Sequence, residues 1–229
     1  MICLHTDFGS AEAAGFRRGT RHPMKNYHLP VLREETLALL APAPGRRFVD
    51  GTLGGGGHSE ALLEAGAEVI GLDQAPEALA HAGERLARFG DRFRAVRSNF
   101  EDVEAVLDRL GIAKVDGALL DIGVSSRQLD APERGFSFQQ EGPLDMRMDP
   151  DGPQTAADLV NTWPEAELVR IFREYGEEPG ARRVAAQLVR DRAVTPFVTT
   201  ADLVRSVEKV LFRRGRTHPA TRVFQALRM

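Results

Sequence analysis

The stretch that decides the fold is Asp50-Gly51-Thr52-Leu53-Gly54-Gly55-Gly56-Gly57-His58-Ser59, which follows the short run Arg47-Phe48-Val49. Consecutive glycines let a backbone pass close to a bound ligand, and a helix that begins here presents its unpaired N–H groups at the same place. The pattern differs from the dinucleotide fingerprint G-x-G-x-x-G/A, because Ser59 stands where the third glycine or alanine belongs. The sequence therefore predicts a nucleotide-binding turn between a strand and a helix.

A second acid closes the next predicted strand. The run Ala67-Glu68-Val69-Ile70-Gly71-Leu72-Asp73 is mostly apolar and ends 23 residues after Asp50. An acid in this place holds a ribose diol, for NAD and for S-adenosylmethionine alike. Asp50 favours the second ligand, because its charge would repel a pyrophosphate and suits an amino-acid ammonium group. The alternative role for Asp73 is an N-cap of the helix that begins at Ala75-Pro76-Glu77, and the two roles are compatible.

Composition is typical of a globular protein. The 229 residues are 42% hydrophobic and 28% charged, which is enough for one α/β core and a smaller subdomain. No apolar run approaches the roughly 20 residues that span a membrane. Residues 1–23 lack the apolar segment of a secretory signal, so we expect a cytoplasmic protein. The same residues show no periodicity and are followed by Met24, which we expect to be the biological start. Cys3 is the only cysteine and the six histidines lack ligand spacing, so no metal is expected.

Strand and helix patterns alternate along the first half of the chain. The alternation predicts a parallel, doubly wound sheet, and the apolar strands are those expected when helices cover both faces. The predicted strands are 47–50, 67–72, 92–97 and 115–121, and the predicted helices are 33–41, 58–65, 76–88 and 101–110.

The character of the chain changes after Asp121. Residues 122–153 are rich in Gly, Pro, Ser and Asp, and so long a loop is usually functional. Residues 199–229 carry seven Lys and Arg against two Asp and Glu, which favours a nucleic-acid partner; the alternative is a solvated helix face. Four helical patterns predict a helical subdomain inserted after the fourth strand: 158–161, 165–175, 179–192 and 200–211.

Asp121 ends the fourth predicted strand, at the edge where open α/β sheets bind their ligands. Methylation of an exocyclic amine such as cytosine N4 needs hydrogen-bond acceptors there, because the nitrogen lone pair is delocalised into the ring until the amine becomes pyramidal. Asp121 and nearby backbone carbonyls are candidates for that role. In the alternative interpretation Asp121 only caps the loop or holds the cofactor.

The chain contains six ordered motifs: His28-Leu29-Pro30-Val31-Leu32, the run from Asp50 to Ser59, Leu120-Asp121-Ile122-Gly123-Val124-Ser125-Ser126-Arg127-Gln128-Leu129-Asp130, Glu133-Arg134-Gly135-Phe136-Ser137-Phe138, Gly142-Pro143-Leu144-Asp145-Met146-Arg147-Met148 and His218-Pro219-Ala220-Thr221-Arg222-Val223-Phe224-Gln225-Ala226-Leu227-Arg228. Together they resemble the bacterial 16S rRNA (cytosine-N4) methyltransferase family, RsmH or MraW. The resemblance implies a Rossmann-like class I sheet, S-adenosylmethionine as methyl donor, and a decoding-region (P-site) cytosine of 16S rRNA in the small ribosomal subunit as substrate.

The resemblance also implies the cofactor contacts. His58 is expected to touch the cofactor without transferring a proton, although a histidine at a helix start is more often a polar end residue. Phe100 is expected to stack on adenine, although a phenylalanine after a strand is more often part of the core. Asp121 is in addition the candidate catalytic residue. The implied contacts are Gly56, Gly57, His58, Asp73, Phe100, Asp121 and Gln128.

The segment 142–148 and the basic C-terminal run are expected to face RNA. Recognition of the base would require the cytosine to turn out of its stack into a pocket beside Asp121. The candidate RNA-binding side chains are Arg134, Arg147 and Arg222. In the alternative these arginines pin the loop by pairing with acids, which are Asp130, Asp145 and Asp149.

Family members continue past Gln225-Ala226-Leu227-Arg228 and supply a fifth strand and a final antiparallel pair. The resemblance therefore implies a sheet that lacks its last strands and leaves strand four as an apolar edge. The expected regions are a non-native or disordered extension at 1–23, a cofactor-binding core at 24–126, a loop and helical insert facing RNA at 127–217, and the start of a return to the core at 218–229.

Three functions are compatible with the sequence. The first is the rRNA methyltransferase, and the second is a truncated fragment that binds S-adenosylmethionine or rRNA without turnover. The third is a nicotinamide-dependent oxidoreductase, which Ser59 and Asp50 disfavour. Nothing in the sequence indicates the oligomeric state.

Overall fold

The computed structural model describes residues 30–212 and 217–228. The expected extension at 1–23 lies outside these residues. The chain divides into two compact units, with the boundary between Ser125 and Ser126. In the part of the chain that is described, no helix is both long and apolar enough to cross a membrane.

The first unit holds a parallel sheet of four strands, which are β1 (Arg47–Asp50), β2 (Glu68–Asp73), β3 (Phe93–Arg97) and β4 (Gly117–Leu119). Their order in the sheet is β3-β2-β1-β4. This confirms the predicted α/β fold. Because the chain winds outward from β1 in both directions, the strand order reverses beside β1, and ligands of such folds bind at the carboxyl ends of the strands there. The α-helices of this unit are α1 (Arg33–Leu40), α2 (Gly57–Glu64), α3 (Pro76–Leu86) and α4 (Val103–Arg109).

Helices cover both faces of the two central strands. Phe48 of β1 and Val69 of β2 pack against Leu62 of α2 and Leu86 of α3. The residues that follow them along the strands turn to the opposite face, where they pack with Val106 of α4. Alternate strand residues therefore bury opposite faces of one sheet, as a doubly wound fold requires.

The outer strands depart from the prediction. Strand 92–97 was expected to be buried on both faces, but Arg94 and Arg97 of β3 are exposed. Charged side chains are common on edge strands, where they discourage pairing with another chain. Strand 115–121 is shorter than predicted, since β4 spans Gly117–Leu119 and pairs with β1 alone among the described strands.

The second unit is helical. It begins with α5 (Ser126–Asp130). Capping boxes at Thr155 with Asp158 and at Thr199 with Asp202 mark the starts of α6 (Ala156–Thr162) and α9 (Thr200–Glu208). The last described helix, α10 (Thr221–Arg228), packs against α7 (Glu165–Glu174) in this unit, and the expected return of 218–229 to the core stays a prediction. The unit also contains α8 (Ala181–Arg192).

Candidate functional site

The glycine turn joins β1 to α2 and is built on left-handed backbone. Gly54 has φ of 49° and Gly56 has φ of 76°, conformations that residues with a side chain rarely adopt. A Cβ on Gly56 would lie 3.0 Å from Leu86, and one on Gly57 would lie 3.0 Å from Pro30. The turn therefore needs glycine for its backbone shape and for its packing.

Two charged side chains hold the turn from outside. Arg85 of α3 donates through Nη1 to the carbonyl of Gly55 at 3.1 Å, and through Nη2 to Glu60 of α2 at 2.6 Å. Neither residue was expected at the site from the sequence. Their only signal is opposite charge on two neighbouring helices, which does not identify the partners.

Asp50 supports the turn from inside. Its carboxylate is 1% exposed and accepts a hydrogen bond from Ser59 Oγ at 2.7 Å and one from Thr52 N–H at 3.2 Å. Burial raises the pKa of Asp50 to about 6; these two hydrogen bonds lower the pKa, and the nearby charges of Asp73 and Asp121 raise it. So deep a position makes Asp50 a support of the turn, and the interaction with an ammonium group suggested by its sequence position stays a prediction.

Asp73 ends β2 and is partly exposed. Its Oδ2 accepts from Gly54 N–H at 2.8 Å and its Oδ1 accepts from Ala75 N–H at 2.9 Å. The bond to Ala75 organises the turn before α3, whose N-cap is Ala75 itself. Each carboxylate oxygen keeps a further acceptor position, so the structural contacts of Asp73 are compatible with a bond to a ribose hydroxyl.

Phe100 follows β3 and begins a 3-10 helix that spans Phe100–Asp102. Its ring is only partly buried. Its Cβ lies beside the turn, 3.0 Å from the position that a Cβ on Gly51 would occupy. Phe100 therefore borders the turn, as a stacking partner must, and its contact with adenine stays a prediction.

His58 and Asp121 meet at the start of α2. His58 Nε2 lies 3.8 Å from Asp121 Oδ2, and the His58 side chain is 10% exposed. Burial lowers the pKa of His58, with a smaller opposing effect of Asp121, which favours the neutral imidazole at pH 7. A neutral His58 adds no positive charge to the site.

The charge of the site comes from three strand ends. Asp50 and Asp73 close β1 and β2, and Asp121 follows β4. Three carboxylates at one edge of a sheet create a negative potential that attracts a cation and repels a phosphate. In the described ranges 30–212 and 217–228, no group of three or more His, Cys, Asp or Glu side chains is arranged to hold a metal ion.

The other predicted site residues belong to the second unit. Gln128 lies on α5 and its Nε2 approaches Met148 Sδ at 3.4 Å. Arg134 donates to the carbonyl of Arg147 at 2.8 Å, and Arg222 donates to the carbonyl of Glu177 at 3.0 Å. These contacts leave the predicted cofactor and RNA roles of the three residues as predictions.

Arg147 is held by several contacts within its own loop. Its Nε and Nη2 donate to the two oxygens of Asp145 at 2.9 and 2.7 Å, and its Nη1 donates to the carbonyl of Gly152 at 2.8 Å. The hydrogen bonds from Arg147 lower the pKa of Asp145. This geometry favours the alternative interpretation, in which Arg147 pins the loop.

Comparison with known proteins gives a consistent family. The model of the MraW methylase family matches residues 25–229. Ribosomal RNA small subunit methyltransferase H of Carboxydothermus hydrogenoformans is 54% identical over 209 residues, which cover 90% of this chain and 67% of that protein. The protein of the same name from Anaeromyxobacter dehalogenans is 58% identical over 205 residues, which cover 88% of this chain and 66% of that protein.

The chain thus spans about two thirds of the length of these curated relatives. Among solved structures, precorrin 8w decarboxylase of Methanobacterium thermoautotrophicum is similar over 39% of this chain and 46% of its own, with 25% identity and a TM-score of 0.33.

Proposed function

This chain belongs to the MraW methylase family, and we propose that it transfers a methyl group from S-adenosylmethionine to the exocyclic N4 of a decoding-region cytosine in 16S rRNA of the small ribosomal subunit. The names of its relatives support rRNA of the small subunit as substrate. The choice of N4 and of the decoding region rests on the motifs that the chain shares with the cytosine-N4 methyltransferases.

One observation carries the choice of cofactor. Three carboxylates and a neutral histidine surround the glycine turn, so the site favours a cation. S-adenosylmethionine carries a sulfonium and an ammonium group against a single carboxylate, and it supplies a methyl group that a nucleophilic nitrogen can accept. The pyrophosphate of a nicotinamide cofactor would be repelled by the same charges, which counts against the oxidoreductase.

Each residue of the turn then has a separate task. The first hydrogen bond of α2 runs from Glu60 N–H to the carbonyl of Gly56. The N–H groups of Gly57 and His58 come before it and are available as donors to the cofactor carboxylate. Asp73 receives the ribose hydroxyls through its remaining acceptor positions. Phe100 stacks on the adenine ring.

Asp121 faces the acceptor amine in this proposal. Its side chain is 44% exposed, so a base can reach it from solvent. A carboxylate that accepts an N–H of the amine favours the pyramidal nitrogen needed for attack and stabilises the positive charge that develops on it. His58 is neutral and 3.8 Å away, so it does not neutralise the carboxylate as a cation would.

A second candidate function is binding of S-adenosylmethionine or rRNA without turnover. It is favoured by the location of the described cofactor candidates other than Gln128, which all lie in the first unit. A unit that contains the turn, Asp73 and Phe100 suffices for binding but need not support transfer.

One experiment separates the two candidates. The 229-residue chain is incubated with small ribosomal subunits that lack the modification and with S-adenosylmethionine carrying a labelled methyl group, and the product nucleosides are analysed. N4-methylcytidine supports the methyltransferase. Binding of the cofactor by calorimetry without any labelled nucleoside supports the binding function, and labelling at another base or atom contradicts the proposed target.

A further inference from the structure

Thr52 lies where β1 leaves the sheet and the glycine turn begins. The last backbone bond of the β1 and β4 ladder runs from Gly51 N–H to the carbonyl of Leu119 at 2.9 Å. A regular parallel ladder would continue with Asp121 N–H donating to the carbonyl of Gly51. Here Asp121 N–H donates to Thr52 Oγ1 at 2.7 Å. A side-chain hydroxyl therefore takes the place of a backbone acceptor at the end of the sheet.

Gly51 precedes Thr52 and is closely packed. A Cβ at Gly51 would collide with the side chain of Leu120 and would lie 3.0 Å from the Cβ of Phe100. Gly51 therefore lies at a crowded point between Leu120 and Phe100, where an added side chain would have to displace one of them. The carbonyl of Gly51 is then not needed by the ladder, and the chain turns away from the sheet.

The other side of Thr52 is tied to the turn. Its backbone N–H donates to Asp50 Oδ1 at 3.2 Å, and Asp50 Oδ2 accepts from Ser59 Oγ at 2.7 Å. The β-branched side chain of threonine has few χ1 rotamers, so a fixed backbone also fixes the hydroxyl. Thr52 thus links α2, which carries Ser59, to the main chain of Asp121.

We propose that Thr52 is a positioning residue for methyl transfer, which sets the main chain of Asp121, and with it the carboxylate, at the correct place relative to the bound methyl donor. The inference rests on the proposed function, in which Asp121 orients the amine. Transfer in line depends on placing the reacting atoms about 3 to 3.5 Å apart, and a displacement of about 1 Å costs on the order of 100-fold in rate.

Three variants of the full chain test this role. Thr52→Val keeps the branched shape and removes the acceptor, whereas Thr52→Ser keeps the hydroxyl. The matched control is Thr36→Val on α1, because Thr36 is 4% exposed and its side chain forms no hydrogen bond within the described residues. For each variant we measure kcat for transfer to small ribosomal subunits, the Kd of S-adenosylmethionine by calorimetry, and the exchange rate of the Asp121 amide proton by NMR.

We expect Thr52→Val to lower kcat by about 10- to 100-fold, with a change in the Kd of S-adenosylmethionine of about threefold or less, because the contacts proposed for the cofactor at the glycine turn, Asp73 and Phe100 stay in place. The Asp121 amide should exchange faster in this variant. Thr52→Ser should restore most of kcat and the slow exchange, and Thr36→Val should match the wild-type protein in all three measurements.

Three results would overturn the inference: a wild-type kcat in Thr52→Val, equal losses of kcat and cofactor affinity, or a serine variant as defective as the valine variant. If the unsubstituted chain binds S-adenosylmethionine but transfers no methyl group, the proposed reaction is refuted, whereas the positioning role of Thr52 is still to be tested. Exchange at Asp121 then decides the positioning role, since faster exchange in Thr52→Val supports it and an unchanged rate refutes it.

Discussion

Replacement of Asp50 by asparagine should make the folded protein more stable at neutral and alkaline pH. Asp50 is buried and without a cationic partner at hydrogen-bond distance among the described residues, and burial raises its pKa from 3.8 to about 6. The folded protein therefore binds a proton at Asp50 in a pH range where the unfolded chain has lost it. The stability linked to this group is fully present below pH 3.8 and is lost as the pH rises through about 6.

The size of the effect follows from the two pKa values of Asp50. The difference between 3.8 and about 6 corresponds to about 3 kcal/mol in the free energy of unfolding. About 1.4 kcal/mol of that change falls between roughly pH 5 and pH 8. Asparagine cannot ionise, and it keeps the geometry, because its Oδ1 accepts from Thr52 N–H while its Nδ2 donates to Ser59 Oγ.

The assay is urea unfolding of the wild-type protein and the Asp50→Asn variant at a series of pH values from 5 to 8, followed by circular dichroism. The difference in the free energy of unfolding should move in favour of the variant as the pH rises. Ser59→Ala is the matched second variant, since loss of the hydroxyl removes a hydrogen bond that lowers the pKa of Asp50 and should shift the transition to higher pH. A difference between wild type and Asp50→Asn that stays constant from pH 5 to 8 would refute the reasoning.

Further predictions concern the remaining site residues. Asp73→Asn should weaken binding of S-adenosylmethionine by about 10- to 100-fold, through loss of charge-assisted bonds to the ribose, and an unchanged Kd in calorimetry would leave Asp73 with its structural bonds alone. Phe100→Leu should weaken binding several-fold while Phe100→Tyr binds normally, and equal affinities of the two variants would exclude stacking. Arg147→Ala should lower the thermal midpoint of unfolding. Arg147→Lys should recover little of that loss, because lysine lacks the planar guanidinium that donates to both oxygens of Asp145. If Arg147→Ala instead keeps the wild-type midpoint and cofactor affinity but transfers less methyl to ribosomal subunits, an RNA contact is favoured. The contribution of Asp145 should be present above its ordinary pKa of 3.8 and be lost as the pH falls through its lowered value in the folded state, which acid unfolding of wild type and Arg147→Ala can compare.

The periodic parts of the chain could be predicted from the sequence. The bounds of β1 agree with the predicted strand at 47–50, and α3 begins at Pro76 as expected from the position of proline in a first helical turn. The spacing of apolar residues and the positions of turn residues depend on a few neighbouring positions, so a single sequence is enough to predict these elements. The early end of β4 was not predictable, because the chain there leaves the ladder for a contact with Thr52, which is 69 residues away.

The sequence indicated which residues belong to the candidate site better than it indicated the role of each one. The position of Asp50 at a strand end suggested a ligand contact, but only burial distinguishes a carboxylate that faces the ligand from one that supports the turn behind it. The same limit applies to Arg147, whose three contacts within its own loop depend on the fold of residues 145–152. Sequence spacing identifies which groups are near one another, whereas the direction of each side chain needs the structure.

Gly51 and Thr52 show how residue type and side-chain direction act together at this site. Gly51 leaves room for the side chains of Leu120 and Phe100, and the hydroxyl of Thr52 ends the sheet by accepting from Asp121 N–H. The buried charge of Asp50 stabilises that arrangement locally through Thr52 N–H and Ser59, although its burial lowers the stability of the fold above about pH 6. A buried carboxylate that lowers stability can still contribute to function if a cation binds nearby, because its negative potential attracts that cation. On that reasoning Asp50→Asn should bind S-adenosylmethionine more weakly although it is more stable, and a variant that gains stability without losing affinity would separate the two roles of the charge.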